Sequence, residues 1–263
     1  MKKPLLIVLF LMFFCIPHAQ AVYTIDGNVN DWGVILNSAS KTKGYLDTHT
    51  PTGGNDIDYI TEDNADKNSG TVLVGPGYST GNRYDAEAIY FDNDYFNAYL
   101  AVITGLPSTE TLYPAGDIFI DTGKYQNPSS PFYNPNKYQY AIDILNSKLY
   151  SLDSWINVSV HDYSVSNPWR AGNNKTFIDN INFIYGPERN THYVLEASIP
   201  LADLGLANNI EGQEDVWLHW TMKCGNDYLN LHGDAHAAPE PRTIALLMTG
   251  LGLGFNKLRR RYV

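Results

Sequence analysis

Apolar and polar residues alternate with a period of two in several short segments of this chain, and no long stretch has the 3.6-residue period of an amphipathic helix. Short runs of β-branched and aromatic residues are separated by clusters of Gly, Asn, Asp and Pro, which is typical of β-sandwiches and barrels. The pattern predicts an all-β fold, namely a single antiparallel β-sandwich of jelly-roll-like form.

The clearest predicted element is a hairpin between residues 87 and 105. Residues 87–91 form one strand, Asp92-Asn93-Asp94 the turn, and residues 95–104 the second strand. Alternation along the second strand predicts that Phe96, Ala98, Leu100 and Val102 share one face, and that Tyr95, Asn97, Tyr99, Ala101 and Ile103 share the other.

The remaining predicted elements are short strands and polar loops. Strands are predicted at 23–25, 116–123, 138–144, twice within 147–159, at 193–200 before a short helical turn, and at 215–224. The last of these is predicted to be the final core strand, followed by a turn at Gly225-Asn226-Asp227. Loops are predicted at 41–70, 125–137 and 167–170.

The amino-terminal residues have the pattern of a signal peptide. Lys2 and Lys3 precede an apolar stretch at 5–16, and Ala19-Gln20-Ala21 is an A-x-A cleavage site. We expect residues 1–21 to be a signal peptide that signal peptidase removes after Ala21.

The carboxyl-terminal residues 236–263 contain three units in a fixed order. Pro239-Glu240-Pro241 predicts an extended hinge, because each proline fixes its own φ. An apolar segment at 243–255 predicts a short helix, but its 13 residues fall below the ~20 that a stable membrane span needs. The basic end at 257–261, which includes Arg259, Arg260 and Arg261, is expected to stay cytoplasmic.

This tail resembles the PEP-CTERM sorting signal, which the membrane protease exosortase cleaves in Gram-negative bacteria. The resemblance covers residues 238–261 and implies contact with the inner membrane only as a transient intermediate. It also implies a final location on the outer surface or in the extracellular matrix. The alternatives are an ordinary tail anchor or a packed carboxyl-terminal helix.

The net charge becomes more negative once both ends are removed. The full chain has 18 basic and 28 acidic residues; without seven basic residues and one acidic residue at its ends, 11 and 27 remain, a net charge of −16. Such a surface excludes nucleic acid as a partner and suits divalent cations or neutral glycans. Of the two cysteines, only Cys224 would remain, so no intramolecular disulfide is expected.

Three motifs in residues 22–235 resemble parts of known families. Ile25-Asp26-Gly27 with Asp31-Trp32, and Glu196-Ala197 with Ile199-Pro200, resemble family 9 carbohydrate-binding modules and their DOMON-like relatives. Residues 220–227 resemble a segment of exosortase-dependent surface proteins. The resemblance implies one glycan-binding β-sandwich domain over residues 22–235.

Two sets of residues are candidates for binding. Loop aromatic rings can stack on sugar C–H groups and polar groups can bind hydroxyls; the candidates are Tyr133, Trp169, Arg170, Glu196, Asn226 and Asp227. The alternatives are a Trp169 tucked under its own loop and a solvent-facing Glu196. Carboxylates suit calcium; the candidates are Asp56, Asp58, Asp63 and Asp66, with a solvated acidic loop as the alternative.

No arrangement of residues in the sequence indicates catalysis. His232, Asp234 and His236 are possible zinc ligands, but their predicted place in a linker before the hinge argues against a rigid site. We therefore predict a non-catalytic, exported protein that binds a glycan or exopolysaccharide. The alternatives are a structural or adhesion protein of the matrix and, less favoured, a polysaccharide-degrading enzyme.

Overall fold

The computed structural model describes residues 23–36, 49–52, 57–61, 81–123, 138–153, 155–157, 169–189, 192–206, 214–223, 225 and 227–236. All of them belong to one compact unit, Tyr23–Ala238. The second unit, Met1–Val22 with Pro239–Val263, lies outside the described residues.

The described residues form β-strands and two single-turn 3₁₀ helices, Gly81–Tyr84 and Leu201–Leu204. The strands are β1 (Asp58–Thr61), β2 (Ala86–Asn93), β3 (Asn97–Thr104), β4 (Ile118–Asp121), β5 (Tyr140–Asp143), β6 (Lys148–Leu152), β7 (Trp155–Asn157), β8 (Trp169–Ala171), β9 (Lys175–Asn180), β10 (Asn182–Pro187), β11 (Tyr193–Pro200), β12 (Glu214–Thr221) and β13 (Tyr228–Ala235). Among these residues there is no helix long and apolar enough to cross a membrane.

The strands pair antiparallel in two large sheets and one small one. The five-stranded sheet has the order β1-β2-β3-β11-β10, and the six-stranded sheet has the order β13-β12-β4-β5-β6-β9. Strands β7 and β8 form a separate two-stranded sheet. The all-β prediction is confirmed, and so is the hairpin, which is β2 paired with β3. Its turn lies at 94–96 and not at 92–94, because Asp92 and Asn93 belong to β2.

The main hydrophobic core contains side chains from both large sheets. Leu100 and Val102 of β3 belong to the same buried cluster as Val216 and Leu218 of β12. The two residues of each pair are two positions apart in sequence, because alternate side chains of a strand point to the same face. The predicted inward faces of the hairpin and of the 215–224 strand are therefore confirmed for these residues.

The other face of the hairpin is also buried. Tyr90, Tyr99 and Ile103 belong to a second cluster with Trp32 and its neighbours from residues 23–36. The ring of Trp32 is stacked on that of Tyr23, with 3.9 Å between the ring centroids. This amino-terminal segment covers the five-stranded sheet, and the predicted strand at 23–25 is wrong because its residues pair with neither sheet.

Glu196 fastens that segment to the sheet. Its carboxylate accepts hydrogen bonds from the backbone N–H of Gly27 at 2.7 Å, from the backbone N–H of Asp26 at 3.2 Å and from the indole N–H of Trp32 at 3.0 Å. The side chain has no exposed surface. The interpretation of Glu196 as solvent-facing is therefore wrong, because three protein donors replace its water shell.

Residue 33 must be a glycine for the amino-terminal segment to contact Thr52. Gly33 has a φ of +72°, and a Cβ there would lie 2.6 Å from the backbone oxygen of Thr52. The close approach lets the backbone N–H of Thr52 donate to the Gly33 oxygen at 2.8 Å. Residues 49–52 are thereby fixed against the amino-terminal segment.

Three predicted irregular regions contain strands. Strand β1 lies within the predicted loop 41–70, because its backbone pairs with β2 at the sheet edge. Residues 169–170 belong to β8, which pairs with β7. The predicted linker holds β13, which pairs along its whole length with β12; hence the 215–224 strand is not the last strand of the core.

Candidate functional site

The outer face of the six-stranded sheet carries an aromatic pair with flanking carboxylates. Trp217 of β12 and His232 of β13 are cross-strand partners, and Asp215 and Asp234 are the next partners on the same face. The two rings are stacked, with centroids 3.7 Å apart and planes 7° from parallel. We call these four residues the Trp217–His232 site.

The strand register and hydrogen bonding fix the shape of this site. His232 Nε2 lies 2.9 Å from Asp215 Oδ1, which holds the imidazole against the indole. Trp217 packs in turn against a small buried cluster that contains Phe119 and Tyr138. The His232 side chain is 46 % exposed and that of Asp215 is 58 % exposed, so an external ligand can reach both.

A buried ion pair lies farther along the same face. Arg170 Nη1 lies 3.0 Å from Asp117 Oδ1, and Arg170 Nη2 donates to the backbone oxygen of Ala115 at 2.7 Å. The backbone N–H of Ala171 donates to the other Asp117 oxygen at 2.9 Å. Burial raises the pKa of Asp117 to about 6, although the Arg170 charge opposes that shift. This pair attaches β8 to the sheet.

Three of the residues predicted to bind a glycan instead bind other residues of the protein. Arg170 binds Asp117, and Glu196 binds the amino-terminal segment. Asp227 is buried and accepts from the backbone N–H of Ala86 at 3.0 Å. Tyr133, Asn226 and the side chain of Trp169 lie outside the described residues.

Among the predicted calcium ligands, only Asp58 is described. Its Oδ2 accepts a hydrogen bond from the backbone N–H of Asp234 at 2.6 Å, which connects β1 to β13. Asp56, Asp63 and Asp66 lie outside the described residues, as do the processing residues Ala19, Ala21, Pro239, Glu240, Pro241, Arg259, Arg260 and Arg261.

The sequence contained a signal for the Trp217–His232 site that the linker interpretation obscured. Leu229 and Leu231 alternate with Asn230 and His232, the period expected of a half-buried strand. The structure buries both leucines and leaves His232 outside. Asp234 lies near His232, whereas the backbone N–H of His236 donates to Asn93 Oδ1 at 2.7 Å.

No family model, curated protein or solved structure matches the chain. Fold and site together define an all-β protein with an exposed aromatic and acidic site on one sheet.

Proposed function

We propose that this protein is exported, is sorted by an exosortase and acts on the outer surface or in the extracellular matrix. Its domain is a jelly-roll-like β-sandwich, similar to family 9 carbohydrate-binding modules, that binds a glycan or exopolysaccharide without cleaving it. The signal-peptide pattern at 1–21 and the hinge, apolar segment and basic end of 236–263 support export and sorting.

Contacts between the motif residues support the family resemblance. Asp26, Gly27 and Trp32 of the first motif all donate to Glu196 of the second motif. Residues far apart in sequence are thus partners in one hydrogen-bonded cluster. The hydrophobic cluster shared by the two large sheets supports the sandwich.

The observation that carries the glycan proposal is the stacked pair of Trp217 and His232 beside Asp215. The parallel rings cover one face of each other, and the His232 side chain is 46 % exposed, so its imidazole can contact the C–H groups of a pyranose. The oxygens of Asp215 and Asp234 lie close by and can accept hydrogen bonds from sugar hydroxyls. A neutral glycan fits such a site better than an anionic one.

Trp217→Ala is expected to weaken glycan binding by several-fold to about tenfold, because an aromatic contact contributes roughly 0.5–1.5 kcal/mol and the imidazole also loses its support. The measurement is calorimetric titration with the exopolysaccharide of the producing cells and with oligosaccharides selected on a glycan array. His232→Ala, at a more exposed position, should weaken binding as well.

Phe177→Ala is the matched control, since Phe177 is an exposed aromatic residue of β9, at the opposite edge of the same sheet from β13. It should bind as the wild type does. Wild-type affinity in Trp217→Ala, or no affinity of the wild type for any glycan, would contradict the proposal. Calcium-dependent self-association without glycan binding would instead favour the structural or adhesion alternative.

Sorting is tested by replacing both hinge prolines, Pro239 and Pro241, with alanine. We expect the variant to accumulate as a membrane-associated precursor, because the protease would lose its extended substrate segment. Cell fractionation and intact-mass measurement would detect it, with an exosortase-deficient strain for comparison. Processed protein outside cells that lack exosortase would rule out the sorting proposal.

A further inference from the structure

A cluster of two histidines and a glutamate is buried beside the second hydrophobic cluster. Glu87 Oε2 lies 2.9 Å from His49 Nε2 and 2.8 Å from His192 Nδ1. One ligand atom from each residue lies within 4.8 Å of the other two. All three residues are more than nine-tenths buried, with exposures of 6 % for His49, 3 % for Glu87 and 8 % for His192.

Separate contacts of the backbone hold each of the three residues in place. Glu87 stands at a register shift between β2 and β3, where Ala86 and Ala88 pair with consecutive residues of β3. Such bulges redirect a side chain and occur often at functional sites. The hydroxyl of Tyr90 donates to the backbone oxygen of His49 at 2.6 Å. The backbone N–H of His192 donates to the backbone oxygen of Arg189, between β10 and β11, at 3.0 Å.

The local charge favours a cation. Glu87 places one carboxylate between the two imidazoles. Glu188 adds a second carboxyl near His192. Its Oε2 is buried and has no hydrogen-bond partner among the described residues, which places an unsatisfied acceptor beside the cluster.

We propose that His49, Glu87 and His192 bind one divalent transition-metal ion, for which Zn²⁺ is the best fit. Two imidazole nitrogens and one carboxylate oxygen form a common zinc donor set, whereas calcium and magnesium prefer oxygen alone. Tetrahedral bonds of about 2.0–2.2 Å put ligand atoms roughly 3.3 Å apart. The observed distances of 2.9 and 2.8 Å are therefore a contracted arrangement that must open by about half an ångström to admit the ion.

The site would join three segments that are distant in sequence, namely the 49–52 segment, β2 and the β10–β11 turn. Metal bound only in the folded state stabilises that state. The cluster of His49, Glu87 and His192 shares no residue with the Trp217–His232 site, so the metal proposal does not depend on glycan binding.

The test begins with the purified wild-type protein, stripped with a chelator and titrated with Zn²⁺ or Co²⁺ at pH 7.5. We expect one ion per chain, a higher midpoint of thermal unfolding with Zn²⁺ and no such shift with Mg²⁺. X-ray absorption of the zinc-loaded protein should show two imidazole ligands and no sulfur. Absence of zinc binding, or a spectrum with fewer than two imidazoles, would overturn the proposal without using any variant.

Two variants identify the ligands. Glu87→Gln keeps the size of the side chain and removes its charge, and His192→Ala removes one nitrogen. Each should weaken zinc binding by more than the ~10- to 100-fold that loss of a ligand's supporting partner costs. Circular dichroism of the metal-free variants establishes whether they are folded.

His232→Ala is the control for the exposed group of Asp215, His232 and Asp234, which also brings three potential ligand atoms together. This variant should keep the single zinc ion at wild-type affinity. If it loses the ion while Glu87→Gln retains it, the metal binds at the exposed group and the buried cluster is not the site.

Discussion

Replacing Glu196 with alanine is expected to lower the free energy of unfolding by about 3 kcal/mol or more at pH 7, because each buried unsatisfied donor costs roughly 1–3 kcal/mol. The change removes the acceptor for the indole N–H of Trp32 and for two backbone N–H groups, of Gly27 and Asp26. Urea denaturation followed by tryptophan fluorescence measures the loss. Glu214→Ala, a half-buried position at the start of β12, should change stability by about 0.5 kcal/mol or less.

The effect of Glu196 should depend on pH in a defined direction. Burial raises the pKa of Glu196 from its ordinary 4.5 to about 7, although hydrogen bonds from Gly27 and Trp32 oppose the shift. The folded state therefore binds this proton more tightly than the unfolded chain does. The wild type should lose stability from this group as the pH rises from about 4.5 to about 7, by at most about 3 kcal/mol.

Glu196→Gln should remove that part of the pH dependence, because an amide resembles the neutral carboxyl and does not titrate. Correspondingly, the difference between wild type and Glu196→Ala should be larger at pH 5 than at pH 8. Equal pH profiles for wild type and Glu196→Gln would show that the carboxyl titrates as it does in the unfolded chain.

Arg170→Ala is expected to destabilise the protein by about 3 kcal/mol at pH 8, the cost of leaving a buried charge without its partner. Asp117 is 3 % exposed, and Arg170 also donates to the backbone oxygen of Ala115. Arg189→Ala is the control, since Arg189 is exposed and donates one hydrogen bond to the backbone oxygen of Leu36. It should cost about 1 kcal/mol or less.

The loss of stability caused by Arg170→Ala should be smaller at acid pH. Burial already raises the pKa of Asp117 to about 6, and removal of the guanidinium raises it further. Protonation below that pKa neutralises the stranded carboxylate, so the variant should recover stability at pH 5 relative to pH 8. Adding Asp117→Asn to Arg170→Ala should recover most of the lost stability at pH 8, because the substitution removes the unpaired buried charge itself. A loss that is the same at both pH values would contradict the assigned ion pair.

Local patterns gave the correct prediction for the β2–β3 hairpin, but not for every strand that pairs with its neighbour in sequence. The hairpin of β2 and β3 was predictable, because alternating side chains and an acidic turn specify it within about 20 residues. β1 was missed because it is only four residues long and lies within an acidic, polar stretch. β13 was missed because Gly233 and Asp234 interrupt its alternation of apolar and polar residues. Their backbones become strands by pairing with β2 and β12.

The candidate sites depend on contacts over long sequence distances. The sequence identified His232 and Asp234 as possible ligands but did not indicate that Trp217 and Asp215 lie beside them. Similarly, nothing local to His49, Glu87 and His192 brings these residues together. A register shift, a close approach at Gly33 and a turn between β10 and β11 do so.

By itself, the sequence determined the all-β class, the hairpin and the inward faces of the main strands, since period-two alternation and turn residues are local properties. The tertiary structure alone decided that Glu196 holds the amino-terminal segment and that Arg170 neutralises Asp117. It also decided that two histidines meet Glu87. The physical reason is that burial and charge pairing depend on which distant segments a side chain meets, and alternation along a strand specifies only the face.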